Sequence, residues 1–245
     1  MFRFQQFTIN DEHCAMKVGT DSVLLGAWAT AGAQPMHWLD MGCGSGLLSL
    51  MLAQRAPKSH VTGVEIDAAT AADAQANAEA SPFAERVEIV CADVLSYART
   101  HPHAFDAICT NPPYHEESLL PPSSARAAAR HTAGGGLTFS ALLEAAKLLL
   151  KDGTSGPCLS LVLPSSASAH FQALAAAYGF APCRLTEVVT RPQKPCKRVL
   201  LEFTRSESAV PFVQRSTLVL LANDGARSEA YEALCKHFYL NKKQF

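Results

Sequence analysis

Charge is scarce in this sequence and almost balanced: 21 lysines and arginines face 22 aspartates and glutamates, and the formal net charge is -1. That argues against a surface coated with basic residues for gripping nucleic acid, while leaving room for a local basic patch. Long apolar runs are missing too. No stretch is long enough to cross a bilayer, and the N-terminus MFRFQQFTINDEH has no signal-peptide core, so a cytoplasmic protein without membrane association is expected. Closely spaced cysteines are equally absent. The eight cysteines stand apart at 14, 43, 91, 109, 158, 183, 196 and 235, which spells neither a zinc ribbon nor a redox pair and predicts reduced, mostly buried thiols. His101-Pro102-His103 has no cysteine or acid at ligand spacing, so it reads as a solvated turn and no metal is expected.

What is present is apolar material, 48% of 245 residues, enough for one substantial core and hence one domain over 1–245. From residue 36 short apolar runs alternate with helical segments, which specifies an α/β fold, a parallel sheet with helices on both faces. Strands are predicted at 36–41, 60–66, 86–92, 105–110 and 157–164, with helices at 46–56, 68–79, 137–150 and 165–179. Two β-rich runs at 185–190 and 198–204, joined by a short basic loop, have hairpin spacing and are expected at the sheet edge. The division that follows is an entry segment 1–35, a sheet core 36–204 and a C-terminal appendage 205–245, carrying the apolar run 217–221 and a helix at 228–239. The segment 118–136, rich in small residues, glycine and proline, is expected to be an exposed loop.

The first strand runs into Asp40-Met41-Gly42-Cys43-Gly44-Ser45-Gly46, and a helix follows at once. Glycines there let backbone approach a ligand, and the helix N-terminus offers free N–H groups. Glu65 closes the next strand, 19 residues beyond Gly46, where a carboxylate can accept hydrogen bonds from ribose hydroxyls. The glycines are spaced G-x-G-x-G and Leu47 stands where a dinucleotide fingerprint wants a third-position glycine. Asp40 would repel a pyrophosphate but suits the cationic parts of S-adenosylmethionine. That charge logic favours S-adenosylmethionine over NAD.

A second constellation, Asn111-Pro112-Pro113-Tyr114, follows the fourth strand. Asn111 offers a side-chain carbonyl and Pro112 a backbone carbonyl on a ring-fixed φ, while Pro113 keeps Pro112 extended. The result is a rigid acceptor pair in the crevice where such sheets bind ligands. Tyr114 can stack on a flat group. Acceptors around an exocyclic amine favour the pyramidal geometry that frees its lone pair, so these four residues are the candidate catalytic set, and Asn111 is expected among the cofactor contacts as well.

With these motifs the chain resembles the class I methyltransferases, which implies a Rossmann-like fold with a seven-stranded, mostly parallel sheet and an antiparallel edge hairpin. The resemblance implies that Asp93, with Val94 beside it, binds the cofactor's adenine; an ordinary helix N-cap is the alternative for Asp93. The tetrad resembles the signature of enzymes acting on planar amino or amide nitrogens: adenine in RNA or DNA, and glutamine in release factors. Residues 7–29, the glycine loop and TNPPY together resemble, over essentially the full length, the bacterial tRNA1(Val) (adenine(37)-N6)-methyltransferase family. That implies a tRNA substrate, methylated on the adenine 3′ to the anticodon. It also implies that Lys17 to Asp21 edge the cofactor site, with Lys17 and Thr20 among its contacts; a solvated charge is the alternative for Lys17.

A protein-glutamine or DNA-adenine methyltransferase, and a non-catalytic RNA-binding protein on the same fold, are the competing readings. Only 39 residues precede Asp40, too few for an added recognition domain, and a monomer is expected. RNA contacts are expected at Arg126, Arg130, Arg191, Lys194, Lys197 and Arg198, with Lys236, Lys242 and Lys243 as further basic candidates.

Overall fold

Strands that are apolar on both faces need cover on both, and the chain supplies it by returning through helices. The computed structural model describes residues 1–14, 16–32, 34, 36–113, 137–205 and 212–240. In chain order the elements are β1 (Phe2–Arg3), β2 (Thr8–Ile9), α1 (Thr20–Trp28), β3 (His37–Met41), α2 (Leu47–Arg55), β4 (His60–Glu65) and α3 (Ala68–Glu79). A 3₁₀ turn (Ala84–Arg86), β5 (Val87–Cys91), α4 (Val94–Thr100), β6 (Ala107–Thr110), α5 (Phe139–Leu149), β7 (Leu159–Pro164) and α6 (Ser165–Ala177) follow. The chain closes with β8 (Phe180–Val189), β9 (Arg198–Arg205), β10 (Gln214–Val219) and α7 (Glu229–Cys235).

The main sheet has the order β10-β8-β9-β7-β6-β3-β4-β5. The run β7-β6-β3-β4-β5 is parallel, β9 is antiparallel to β7 and β8, and β1 pairs with β2 apart from the sheet. One face is packed by α4, α5 and α6 through Leu95, Leu142, Leu149 and Phe171; the other is packed by α1, α2 and α7 through Leu25, Leu50, Met51 and Tyr231. Burying such side chains contributes about 1.5 to 3 kcal/mol each.

The sheet departs from the seven-stranded expectation. It has eight strands, and the β8–β9 hairpin is not its edge: β10 adds in parallel along β8, from Gln214 opposite Arg184 to Val219 opposite Val189. The sheet therefore runs past residue 204, into the segment expected to be an appendage. β10 was hidden because QRSTLV is mostly exposed, with only Leu218 buried, and an edge strand needs little apolar signal to be recruited by hydrogen bonds.

The second departure is α1. Val23 to Ala27 are buried, so this part of the entry segment belongs to the core. Gly26 permits that contact: a Cβ there would lie 2.8 to 3.1 Å from Met51 side-chain atoms, which would push α1 off α2.

Among the described residues no helix is long and apolar enough to cross a membrane.

Candidate functional site

Strand order reverses direction around β3 and β6, which leave the sheet side by side, and this switch point is where open α/β sheets bind ligands. Register makes the placement specific. Asp40 pairs with Cys109, so the glycine loop and Asn111 emerge abreast on adjacent strands. The Thr110 hydroxyl donates to the Met41 carbonyl at 2.7 Å, pinning the root of one motif to the root of the other.

Gly42, Gly44 and Gly46 all have φ in the left-handed region, at 72°, 54° and 77°, where a side chain is strained. A Cβ on Gly42 or Gly44 would meet nothing within 4 Å, whereas on Gly46 it would meet Ala74 at 3.4 Å. The first two glycines therefore face open space, and the third is held against α3. The loop is tied down from behind: Gly42 N and Cys43 N both donate to the Val64 carbonyl, at 2.9 and 3.0 Å.

Asp40 is fully buried, and its Oδ2 accepts from the Ser49 amide at 2.9 Å and the Ser49 hydroxyl at 2.7 Å. It thus caps the first turn of α2, whose own N-cap, Gly46, has no side chain to do so. Its Oδ1 is buried without a hydrogen-bond partner. Burial pushes this carboxyl from its ordinary 3.8 up to about 7; the Glu65 charge adds to the rise, and the Ser49 hydrogen bonds oppose it.

A folded-state value above the ordinary one means that the native protein holds this proton more tightly than the unfolded chain. The stability so gained is complete below about pH 4 and is lost as pH rises through 7. Asp40→Asn removes that dependence. In denaturant titrations the wild type is expected to lose stability between pH 4 and 7 relative to the variant, and parallel profiles would contradict the assignment.

Glu65 bridges the loop and the turn after β4: Oε2 accepts from Gly44 N and Oε1 from Asp67 N, each at 3.0 Å. Ile66 beside it is 67% exposed, an apolar face at the rim of the loop that sequence reasoning passed over. Its signal was only its place next to Glu65. Asp93 caps α4, its Oδ1 accepting from Ser96 N at 2.9 Å, and Val94 is the buried first residue of that helix.

Asn111 is half-buried, and its Nδ2 donates to Ser22 Oγ in the first turn of α1 at 2.9 Å. That contact turns the carbonyl end of the amide away from Ser22. Pro112 is buried and Pro113 half-buried. Tyr114, Arg126, Arg130, Lys242 and Lys243 lie outside the described residues, as does all of 118–136.

The entry segment is folded on itself more than it reaches outward. Lys17 Nζ donates to the carbonyls of Asp11 at 2.6 Å and Glu12 at 2.9 Å, so the ammonium is engaged within its own loop. Thr20 is exposed at the start of α1, and Asp21 Oδ2 accepts from Arg198 Nε at 2.8 Å. Asn77 of α3 fastens this segment to the glycine loop: its Nδ2 donates to Asn10 O at 2.7 Å and to Ser45 O at 3.0 Å. A lone asparagine in an alanine-rich helix gave no sequence signal for that role.

The basic candidates separate by position. Arg198 opposes Pro164, at the C-terminal end of β7, so the β8–β9 turn lies at the same edge of the sheet as Asn111. Arg191, Lys194 and Lys197 are exposed on that turn, while Arg198 is held by Asp21. Lys236 lies elsewhere. Its neighbour His237 accepts from Gln54 near the end of α2, and α2 runs back toward the opposite edge.

Three features suit S-adenosylmethionine: open space before Gly42 and Gly44, the orphaned buried Asp40 oxygen, and the Glu65 carboxylate across the loop. A pyrophosphate would suffer from both carboxylates.

The methyltransferase small domain family model matches residues 16–138. Proteins named tRNA1(Val) (adenine(37)-N6)-methyltransferase from Yersinia pestis (strain Pestoides F) and Yersinia pseudotuberculosis serotype O:1b (strain IP 31758) are each 41% identical over 243 residues, covering 98% of this chain and 94% of theirs. The crystal structure of a predicted O-methyltransferase from Agrobacterium tumefaciens superposes with a TM-score of 0.70 at 21% identity, covering 89% of this chain and 96% of that one. At that identity the likeness speaks for the fold.

Proposed function

The chain belongs to the methyltransferase small domain family and to the tRNA1(Val) (adenine(37)-N6)-methyltransferases, and on that footing we propose that it methylates the exocyclic amino group of adenine 37 in a valine tRNA. S-adenosylmethionine would supply the electrophilic methyl group on its sulfonium. The glycine loop would give it room, Glu65 would accept from its ribose, and Asp40, once ionised, would balance its positive charge. The observation that carries the reading is the register that brings Asn111 out abreast of Gly42: acceptor groups for an amine stand next to the methyl donor's cradle.

Asn111 Oδ1 and the Pro112 carbonyl accept the two N–H bonds of the target amine. Held in this way, the amine's lone pair is freed from the ring and aimed at the side of the glycine loop, where bound S-adenosylmethionine would present its methyl group; after transfer the amine would release one proton to water. No acid–base residue with a tuned pKa is needed, because alignment supplies most of the rate. Tyr114 stacks on the adenine, the single domain 1–245 acts as a monomer, and the reaction belongs in the cytoplasm.

Labelled methyl transfer into separate tRNA, DNA and protein fractions tests the substrate. Incorporation into tRNA as N6-methyladenosine is expected, and tRNA from a deletion strain should lack that nucleoside at position 37. Label in the protein or DNA fraction instead would overturn the reading.

Arg191, Lys194 and Lys197 sit at the catalytic edge and meet the phosphate backbone. Replacing all three by alanine should weaken tRNA binding and flatten the dependence of log K on log salt by about one per residue. Filter binding from low to high salt checks this, and an unchanged slope would remove the turn from the RNA surface.

A further inference from the structure

Given the amine-methylation reading above, on which this inference rests, we propose that Ser22 is a positioning residue: its hydroxyl accepts from the Asn111 amide nitrogen and holds the side chain in place, with its carbonyl end left for the target amine. An amide side chain has two ends of similar shape and opposite function. With Oδ1 toward the amine, Asn111 accepts a hydrogen; rotated by half a turn, it presents its own N–H groups to another N–H group and repels it. The Pro112 carbonyl cannot err in this way because it belongs to the backbone. The orientation of Asn111 is therefore the adjustable part of the site, and something must hold it.

Ser22 Oγ accepts from Asn111 Nδ2 at 2.9 Å. The partner is worth having only if it is itself immobile, and α1 provides that. Val23 to Ala27, directly after Ser22, are buried, and Gly26 lets the helix settle against Met51, where even one added carbon would come within 2.8 Å. On the other side Asp21 is tied to Arg198 at the start of β9, at 2.8 Å. The hydroxyl thus stands on a turn fixed by core packing below and an ion pair beside it. A preorganised acceptor keeps the amide in its working rotamer before substrate arrives, which is how supporting residues contribute to rate.

This role separates from cofactor binding. The glycine loop is held by other groups: the Val64 carbonyl and the Glu65 carboxylate fix its amides. Ser22→Ala should therefore leave cofactor affinity and melting temperature unchanged. Single-turnover methyl transfer should fall about tenfold, the worth of one positioning hydrogen bond, with little change in KM for tRNA. Ser22→Thr, which retains the hydroxyl, should recover most of the rate.

The deciding measurement is a double-mutant cycle, run on whichever acceptor the wild-type protein methylates, so that an error about tRNA does not masquerade as an error about Ser22. In an Asn111→Ala background, Ser22→Ala should cost nothing further, because no amide remains to be oriented. Equal losses in both backgrounds would overturn the proposal, as would an unaltered rate in the single variant. A drop in cofactor affinity matching the drop in rate would overturn it too.

Discussion

Asn111→Ala lowers methyl transfer by about a hundredfold or more while cofactor binding persists. The magnitude follows from removing one preorganised partner of a group whose hydrogen bonding strengthens in the transition state, which costs about 10² to 10³ in rate where it has been isolated. Cofactor binding persists because the loop is held by other groups: Val64 and Glu65 fix its amides, and Asp40 caps the helix behind it. Single-turnover assays and calorimetric titration of the cofactor report the two quantities separately. Equal loss in both would make Asn111 a structural residue and remove the acceptor pair from the mechanism.

Glu202→Ala destabilises the fold by about 3 to 5 kcal/mol, the usual consequence of taking one partner from a buried ion pair. Glu202 is fully buried on β9. Its Oε1 accepts from Thr30 N at 2.5 Å and Ser160 Oγ at 3.1 Å, and its Oε2 accepts from Thr30 Oγ at 2.9 Å. Arg184 Nε lies 2.9 Å from Oε2 without a well-aligned hydrogen bond, so the attraction there is mainly one of charge. The guanidinium also covers the Trp28 ring at 3.7 Å and donates to the Trp28 carbonyl at 2.6 Å.

Removing the carboxylate would leave two hydroxyls and an amide without their acceptor and Arg184 without its counter-charge, all at the junction of α1 with the sheet. A melting temperature about 10 °C lower is expected, and Glu202→Gln should fall between the two. A loss below about 1 kcal/mol would mean that water replaces the carboxylate and that the network contributes little.

The sequence showed most of the sheet because the parallel strands are short, apolar and punctuated. The helix over Ala68–Glu79 is found as expected, and most other predicted elements in the core shift by only one or two residues at their ends. The glycine loop was legible because three glycines at one strand exit imply a backbone conformation, and all three have positive φ. The strand exit at Asn111 was legible because the two prolines after it leave the chain few alternatives. β10 was not, since its hydrogen bonds to β8 owe nothing to its own mostly exposed side chains. Nor was the engagement of Lys17, whose nearby carbonyl partners depend on how the loop closes.

By itself the sequence determined the α/β class, the glycine loop, the position of the Asn111-Pro112-Pro113-Tyr114 motif in the chain and the resemblance that points to tRNA. These depend on residue type and local spacing, which the chain carries wherever it is folded. Only the tertiary structure decided that Asp40 caps α2 with one oxygen and leaves the other orphaned, that the basic turn shares an edge with Asn111, and that Ser22 meets the Asn111 amide across 89 residues. Such contacts are set by strand register and helix packing. Those are properties of the whole core, and no local pattern encodes them.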